Sequence, residues 1–180
     1  MNAPRPLEHP SDGNALATDD RAGPKDNCAN CSLHELCVPG GISPDELDRL
    51  DTLVAMRRRV ARGATLYPAG DAFRSVYAVR RGTFKTRVTH DEGREQLTGF
   101  QLPGELLGLD GVAFEKHGAD AVALEDSEVC VLPYVELERI AREFAPLQKE
   151  LHKVMSREIV REQGVMMMLG SMRAEERVAA

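Results

Sequence analysis

The chain has 180 residues, 42% of them hydrophobic and 29% charged, and its 23 Lys and Arg against 29 Asp and Glu leave a formal net charge of -6. That length suits one domain with appendages, and the acidic balance argues against a nucleic-acid grip by this stretch of chain, because phosphate binding draws on clustered Lys and Arg. Trp is absent and aromatic residues make up 4%, which argues against a base-stacking platform, and no apolar run reaches bilayer length or signal-peptide form, so a cytoplasmic location is expected.

Residues 1–27 carry Pro, Gly, Asp, Asn and Ala with scarcely any branched apolar side chain. They cannot bury enough surface to offset the entropy of ordering and are expected to be a disordered lead-in. Residues 28–41 hold three of the four cysteines and end in Pro39-Gly40-Gly41, which reads as a loop. Ser43-Pro44-Asp45-Glu46 then supplies an N-cap, a first-turn proline and a carboxylate placed for a capping box. Leu47, Leu50, Leu53 and Val54 follow at helical spacing, which predicts a short amphipathic helix.

From about Arg57 to Pro133 the pattern becomes short alternating runs at 64–67, 75–80, 83–89, 95–100, 119–124 and 128–132, separated by Gly-containing turns. Strands this short and close together predict a compact antiparallel barrel or jelly roll, with the glycines at 63, 70, 82, 93, 104, 108, 111 and 118 where positive φ is most often needed. Thr89 to Arg94 is expected at an exposed hairpin tip, and Arg57-Arg58-Arg59 reads as the solvated face of a strand.

Beyond Pro133, Tyr134 to Phe144 predicts one short helix, and a second starts at Pro146 and meets no breaker until about residue 170. Within it His152, Met155, Ile159, Glu162, Met166 and Leu169 recur in steps of three and four, the spacing of a parallel coiled-coil seam. Periodicity leaves open whether these residues pair with a second copy or pack on the barrel. Met166-Met167-Met168 could form a soft binding surface but is read as packing.

The cysteines carry the chemistry. Cys28-x2-Cys31-x5-Cys37 crowds three thiols into ten residues, and Cys130 follows 93 residues later on the last predicted strand. Four thiols complete a ligand set for a tetrahedral metal or an iron-sulfur cluster. Disulfides are disfavoured without an export signal. Zinc sites usually take two paired knuckles, whereas a cubane tolerates three ligands in one loop and one elsewhere, since each iron takes its own thiolate. Zinc and four unrelated cysteines stay open as alternatives. A shared cofactor would staple the N-terminal segment to the barrel, and a cluster held by a short polar loop is open to small oxidants, as a sensor requires. His34, between the ligands, reads as a solvated loop histidine. The five His are scattered, and no nucleophile constellation or phosphate loop supports an enzyme.

Several motifs join these cysteines: Leu36-Cys37, Ile42-Ser43-Pro44-Asp45-Glu46-Leu47-Asp48, Glu95-Gln96-Leu97-Thr98-Gly99-Phe100, Pro103-Gly104-Glu105-Leu106-Leu107-Gly108 and the closing Ala174-Glu175-Glu176-Arg177-Val178-Ala179-Ala180. With them, the chain from Cys28 onward resembles the FNR/Anr type of the CRP/FNR transcription regulators. The resemblance implies a mostly β fold with α, a cyclic-nucleotide-binding-like antiparallel β-roll (jelly roll) followed by a long dimerisation helix. It assigns residues 42–145 to the β-roll sensor domain with flanking helices, 146–172 to the dimerisation helix and 173–180 to the start of a truncated C-terminal DNA-binding domain. It implies a 4Fe-4S cluster on Cys28, Cys31, Cys37 and Cys130, converted to 2Fe-2S by oxygen, that promotes a homodimer. For a full-length parent it implies promoter DNA, bound through a helix-turn-helix absent here, and RNA polymerase, with Asp91, Glu92, Gly93 and Arg94 as candidate polymerase contacts.

One departure from the nucleotide-binding branch is visible. The Pro103-Gly104-Glu105-Leu106 turn is kept, but the phosphate-holding Arg-Ser or Arg-Thr pair is replaced by His117-Gly118-Ala119. No cyclic nucleotide is therefore expected, and Glu105 is expected to be a turn residue. In a dimer Glu162 would face its two-fold mate, weakening the seam and holding it near its dissociation threshold, unless it points to solvent beside the seam. A zinc-stabilised interaction domain and a cyclic-nucleotide-type effector domain are the competing readings.

Overall fold

The structure, a computed structural model, describes residues 28, 31, 43–54, 56–89 and 93–171. Helix α1 (Pro44–Leu53) is followed by β1 (Met56–Val60), β2 (Thr65–Tyr67), β3 (Ser75–Arg81), β4 (Phe84–Thr89), β5 (Glu95–Gln101), β6 (Leu106–Leu107), β7 (Asp120–Ala123) and β8 (Ser127–Pro133). Helices α2 (Tyr134–Glu143) and α3 (Ala145–Ser171) complete the described chain.

The strands form two four-stranded antiparallel sheets, in the orders β1-β8-β3-β6 and β2-β7-β4-β5. Side chains alternate across each strand, so the first sheet has two apolar faces. One packs inside the roll, where Val79 and Val129 meet Phe84, Leu107, Ala121 and Tyr67. The other carries Val76 and Leu132 against Leu50 and Leu53 of α1, Leu137 and Ile140 of α2, and Leu147 of α3. Each face buries a cluster that neither layer could bury alone.

The expected roll with flanking helices is present, and each predicted strand matches one observed. Two strands lie outside the six alternating runs, and of these β1 holds Arg57-Arg58-Arg59, which the sequence already reads as part of a strand. β1 reads Met-Arg-Arg-Arg-Val and so hides its alternation, though it pairs residue for residue with β8, Arg57 opposite Cys130. β6 has only two residues. Gly111 and Gly118 lack the positive φ found at the other six glycines named above. Gly111 is instead required by space, since a Cβ there would stand 2.5 Å from the Phe73 ring.

At the start of α1 the Ser43 carbonyl accepts the Leu47 N–H at 3.0 Å; the Glu46 side chain lies outside the described residues. In α3, Leu147 is buried and Leu151 and Val154 are half-buried toward the roll. The predicted seam lies on another face, with His152, Met155, Ile159, Glu162 and Met166 all exposed in the single chain. These five therefore do not pack on the roll, while the side chain of Leu169 is outside the described residues. No described helix is long and apolar enough to cross a membrane.

Candidate functional site

Strand β8 aims Val129 into the roll, so Cys130 points to the opposite, helix-covered face, beside Ala78 of β3 and Arg57 of β1. The N-terminal cysteines reach the same face through α1. The Cys28 N–H donates to Asp51 Oδ1 at 2.7 Å, and the Cys31 N–H donates to the Cys28 carbonyl at 3.4 Å. Cys28, Cys31 and Cys130 together line a cavity of about 530 Å³ between the first sheet and the helices. Leu50, Val54, Leu132 and Leu151 form its apolar wall, and Glu105, Glu158 and Arg161 also line it. All three cysteines are half-buried and outside any disulfide.

Burial pushes the Cys28 thiol up to about 12, helped by its hydrogen bond to Asp51, the Asp51 charge and the neighbouring Cys130 and Cys31. Cys130 is raised by burial, with Cys31 and Glu128 adding and Arg57 and Arg80 opposing. The three sulfurs thus sense one another, and as thiolates they would repel in a poorly solvated space. A bound cation reverses that balance, because it stabilises the thiolate form. The soft donor set and the apolar wall beside it fit an iron-sulfur cluster or a thiophilic metal. Among the described residues no three His, Cys, Asp or Glu side chains already stand as a closed metal site. Cys37 and His34 lie outside the described residues.

The other predicted positions separate. Glu105 Oε2 accepts the Leu102 N–H at 2.7 Å, which makes it the turn residue expected, and its Oε1 also stands 4.0 Å from Arg161 of α3. His117 is buried, stacked on Tyr67 at 3.7 Å between ring centroids, with Nδ1 3.6 Å from Asp110 Oδ1. The N–H groups of Gly118 and Ala119 donate to Asp110 Oδ2 at 2.6 and 3.2 Å. At the β4–β5 hairpin, Gly93 and Arg94 are exposed, while Asp91 and Glu92 are outside the described residues. Asp51, Asp110 and Arg161 are residues that sequence reading missed, because their partners come together by folding, from eight residues away for Asp110 to 61 for Arg161, and no local motif marks them.

A roll of two antiparallel sheets with a long helix laid along it is the architecture of a cyclic-nucleotide-binding domain, and the family model described as "Cyclic nucleotide-binding domain" matches residues 57–144. The chain is 46% identical over 154 residues to the transcriptional regulatory protein btr of Bordetella pertussis, covering 86% of this chain and 64% of that protein. It is 43% identical over 159 residues to the transcriptional activator protein Anr of Pseudomonas protegens, covering 88% and 65%. Further relatives are named fumarate and nitrate reduction regulatory protein. The structure of FixK2 from Bradyrhizobium japonicum superposes with a TM-score of 0.64 at 26% identity, covering 69% of this chain and 62% of that one. The chain therefore carries a cyclic-nucleotide-binding domain, its relatives are transcriptional regulators named Anr, btr and fumarate and nitrate reduction regulatory protein, and its structural neighbours lie in the CRP/FNR family. It spans less than two thirds of the length of the btr and Anr proteins.

Proposed function

We propose that this chain is the oxygen- or redox-sensing and dimerisation part of a cytoplasmic transcription regulator, with a 4Fe-4S cluster on Cys28, Cys31, Cys37 and Cys130. The observation that carries this reading is the convergence of Cys28, Cys31 and Cys130, from opposite ends of the fold, on one cavity that α3 also lines. When bound, the cluster supplies iron–thiolate bonds that oxygen can break. The chain's own residues then do the rest. Asp51 holds the Cys28 backbone to α1, β8 fixes Cys130 on the roll, and closing the two sets of ligands together orders the wall against which α3 rests. The exposed stripe of Met155, Ile159 and Met166 on α3 supports a homodimer made through that helix. In a full-length regulator this dimer would present DNA-reading domains to a promoter, and the β4–β5 hairpin would face RNA polymerase.

The same geometry speaks against a cyclic nucleotide. A phosphate approaching Gly118 and Ala119 would have to displace the Asp110 carboxylate from both N–H groups, and Glu105 is already engaged by Leu102 and Arg161. Purification under strict exclusion of oxygen, with iron and sulfide quantitation, tests the reading. One 4Fe-4S cluster per chain is expected, with visible absorbance lost in air and abolished in Cys28→Ala and Cys130→Ala. Absence of iron and sulfide, or one zinc without sulfide, overturns it.

A further inference from the structure

Helix α3 carries two stripes one residue apart. Leu147, Leu151, Val154, Glu158 and Arg161 line the cavity against the roll, whereas His152, Met155, Ile159, Glu162 and Met166 are exposed. A step of one residue is a rotation of about 100°, so the two sets lie on adjacent faces and the rotation of the helix decides which of them meets the roll. Up to Val154 the inward stripe is apolar, and packing fixes the rotation. Beyond it the cavity-lining residues Arg157, Glu158 and Arg161 are all charged, and the half-buried Val165 is the next apolar position on the inward stripe.

Arg161 supplies a polar hold between Val154 and Val165. Its guanidinium donates to the Phe100 carbonyl at the end of β5, stands 4.0 Å from the Glu105 carboxylate and is 3.6 Å from Glu158 one turn back. Glu105 is itself locked into the roll. Its carbonyl accepts the Val79 N–H at 2.9 Å, and the Gly104 N–H donates to the Val79 carbonyl at 2.8 Å. Val79 pairs with Val129 on the rung next to Ala78 and Cys130. Backbone pairing thus runs from the cysteine-bearing strand to Glu105, and the Arg161 side chain makes the last step to the distal half of α3.

We propose that Arg161 is a positioning residue that fixes the rotation of α3 beyond Val154, so that Ile159, Glu162 and Met166 face a second copy of the chain. The proposal rests on the dimer reading given above. It makes the 102–105 turn, through Arg161, the point where the state of the roll reaches the seam. Glu105→Gln is the matching change on the roll, because the amide oxygen can keep the Leu102 bond while the charge opposite Arg161 is lost.

The test uses the whole chain in two states. In the metal-free chain, hydrogen exchange along α3 is compared for wild type, Arg161→Ala, Arg161→Lys and Glu105→Gln. In the cluster-loaded chain, the dimer dissociation constant is measured anaerobically by sedimentation. Arg161→Ala should speed exchange beyond Glu158 about tenfold, leave 147–154 unchanged and weaken the dimer about fivefold. Arg161→Lys should recover most of both effects, and Arg161→Ala combined with Glu105→Gln should lose no more than Arg161→Ala alone. Unchanged exchange beyond Glu158 in Arg161→Ala, or a rise spread evenly over the chain, overturns the positioning role even if the chain dimerises. A loaded wild-type chain that stays monomeric sinks the dimer reading instead.

Discussion

Asp51 stands one hydrogen bond from the Cys28 backbone and, after burial, adds most to the rise of the Cys28 thiol, so it both places this cysteine and favours its protonated form. The folded-state value lies above the ordinary 9.0, at about 12. The sign of the linkage follows: the stability this thiol contributes to the metal-free chain is whole below 9.0 and is lost as pH rises toward about 12. Asp51→Asn keeps an oxygen for the backbone N–H but removes the charge. It should lower the thiol's value and speed alkylation of Cys28 in the metal-free chain at least about threefold in mildly alkaline buffer, read by mass spectrometry with Cys130 as internal reference. An unchanged rate at Cys28 would show that Asp51 does not control the thiol. At Cys130 the neighbours act in the opposite sense, because Arg57 and Arg80 oppose the rise that burial causes.

Among the elements, the β3–β4 turn has the tightest steric demand. Gly82 has φ +83°, and a Cβ there would stand 2.1 Å from Ser127 Oγ and 2.9 Å from Ser127 Cα. The hydroxyl can rotate away but the backbone cannot, so Gly82→Ala should cost on the order of 2–4 kcal/mol. Gly93 has φ +76° and open space around it, so Gly93→Ala should cost only about 1 kcal/mol. Denaturant midpoints of the two variants check the difference, and equal losses would show that conformation alone decides. This turn also shows what a sequence discloses about such a fold. Glycines between alternating runs placed the strands of both sheets, and the Leu50, Leu53 and Val54 spacing placed α1. β1 was legible only as the solvated face of a strand at Arg57-Arg58-Arg59, because three arginines erase the apolar alternation that would give its bounds and its partner β8. Cysteine spacing announced a ligand set, yet Asp51, Asp110 and Arg161 gave no signal, since each acts on a partner brought near only by folding. The outward stripe of α3 was legible as a periodicity, but its direction was not. That direction is set by Leu147, Leu151 and Val154 taking the side against the roll.

At the scale of the whole molecule the question is why assembly should respond to a change at the cysteines. Met155, Ile159 and Met166 are 45%, 56% and 64% exposed, an apolar stripe interrupted by Glu162. Two copies meeting on this stripe would bring two Glu162 carboxylates together, on chains that each already carry a net charge of -6. Moving a two-state equilibrium from mostly apart to mostly together takes on the order of 5 kcal/mol. A seam without the carboxylate starts closer to association and needs less from the cluster. Glu162→Ala should therefore dimerise in air, without iron, with a dissociation constant at least about tenfold below that of the wild-type chain. Glu158→Ala removes an identical charge one turn back on the inward stripe and should not produce a dimer. Sedimentation velocity across a concentration series separates the outcomes. A Glu162→Ala chain that stays monomeric, or a Glu158→Ala chain that dimerises equally well, would mean that α3 does not present this stripe to its partner.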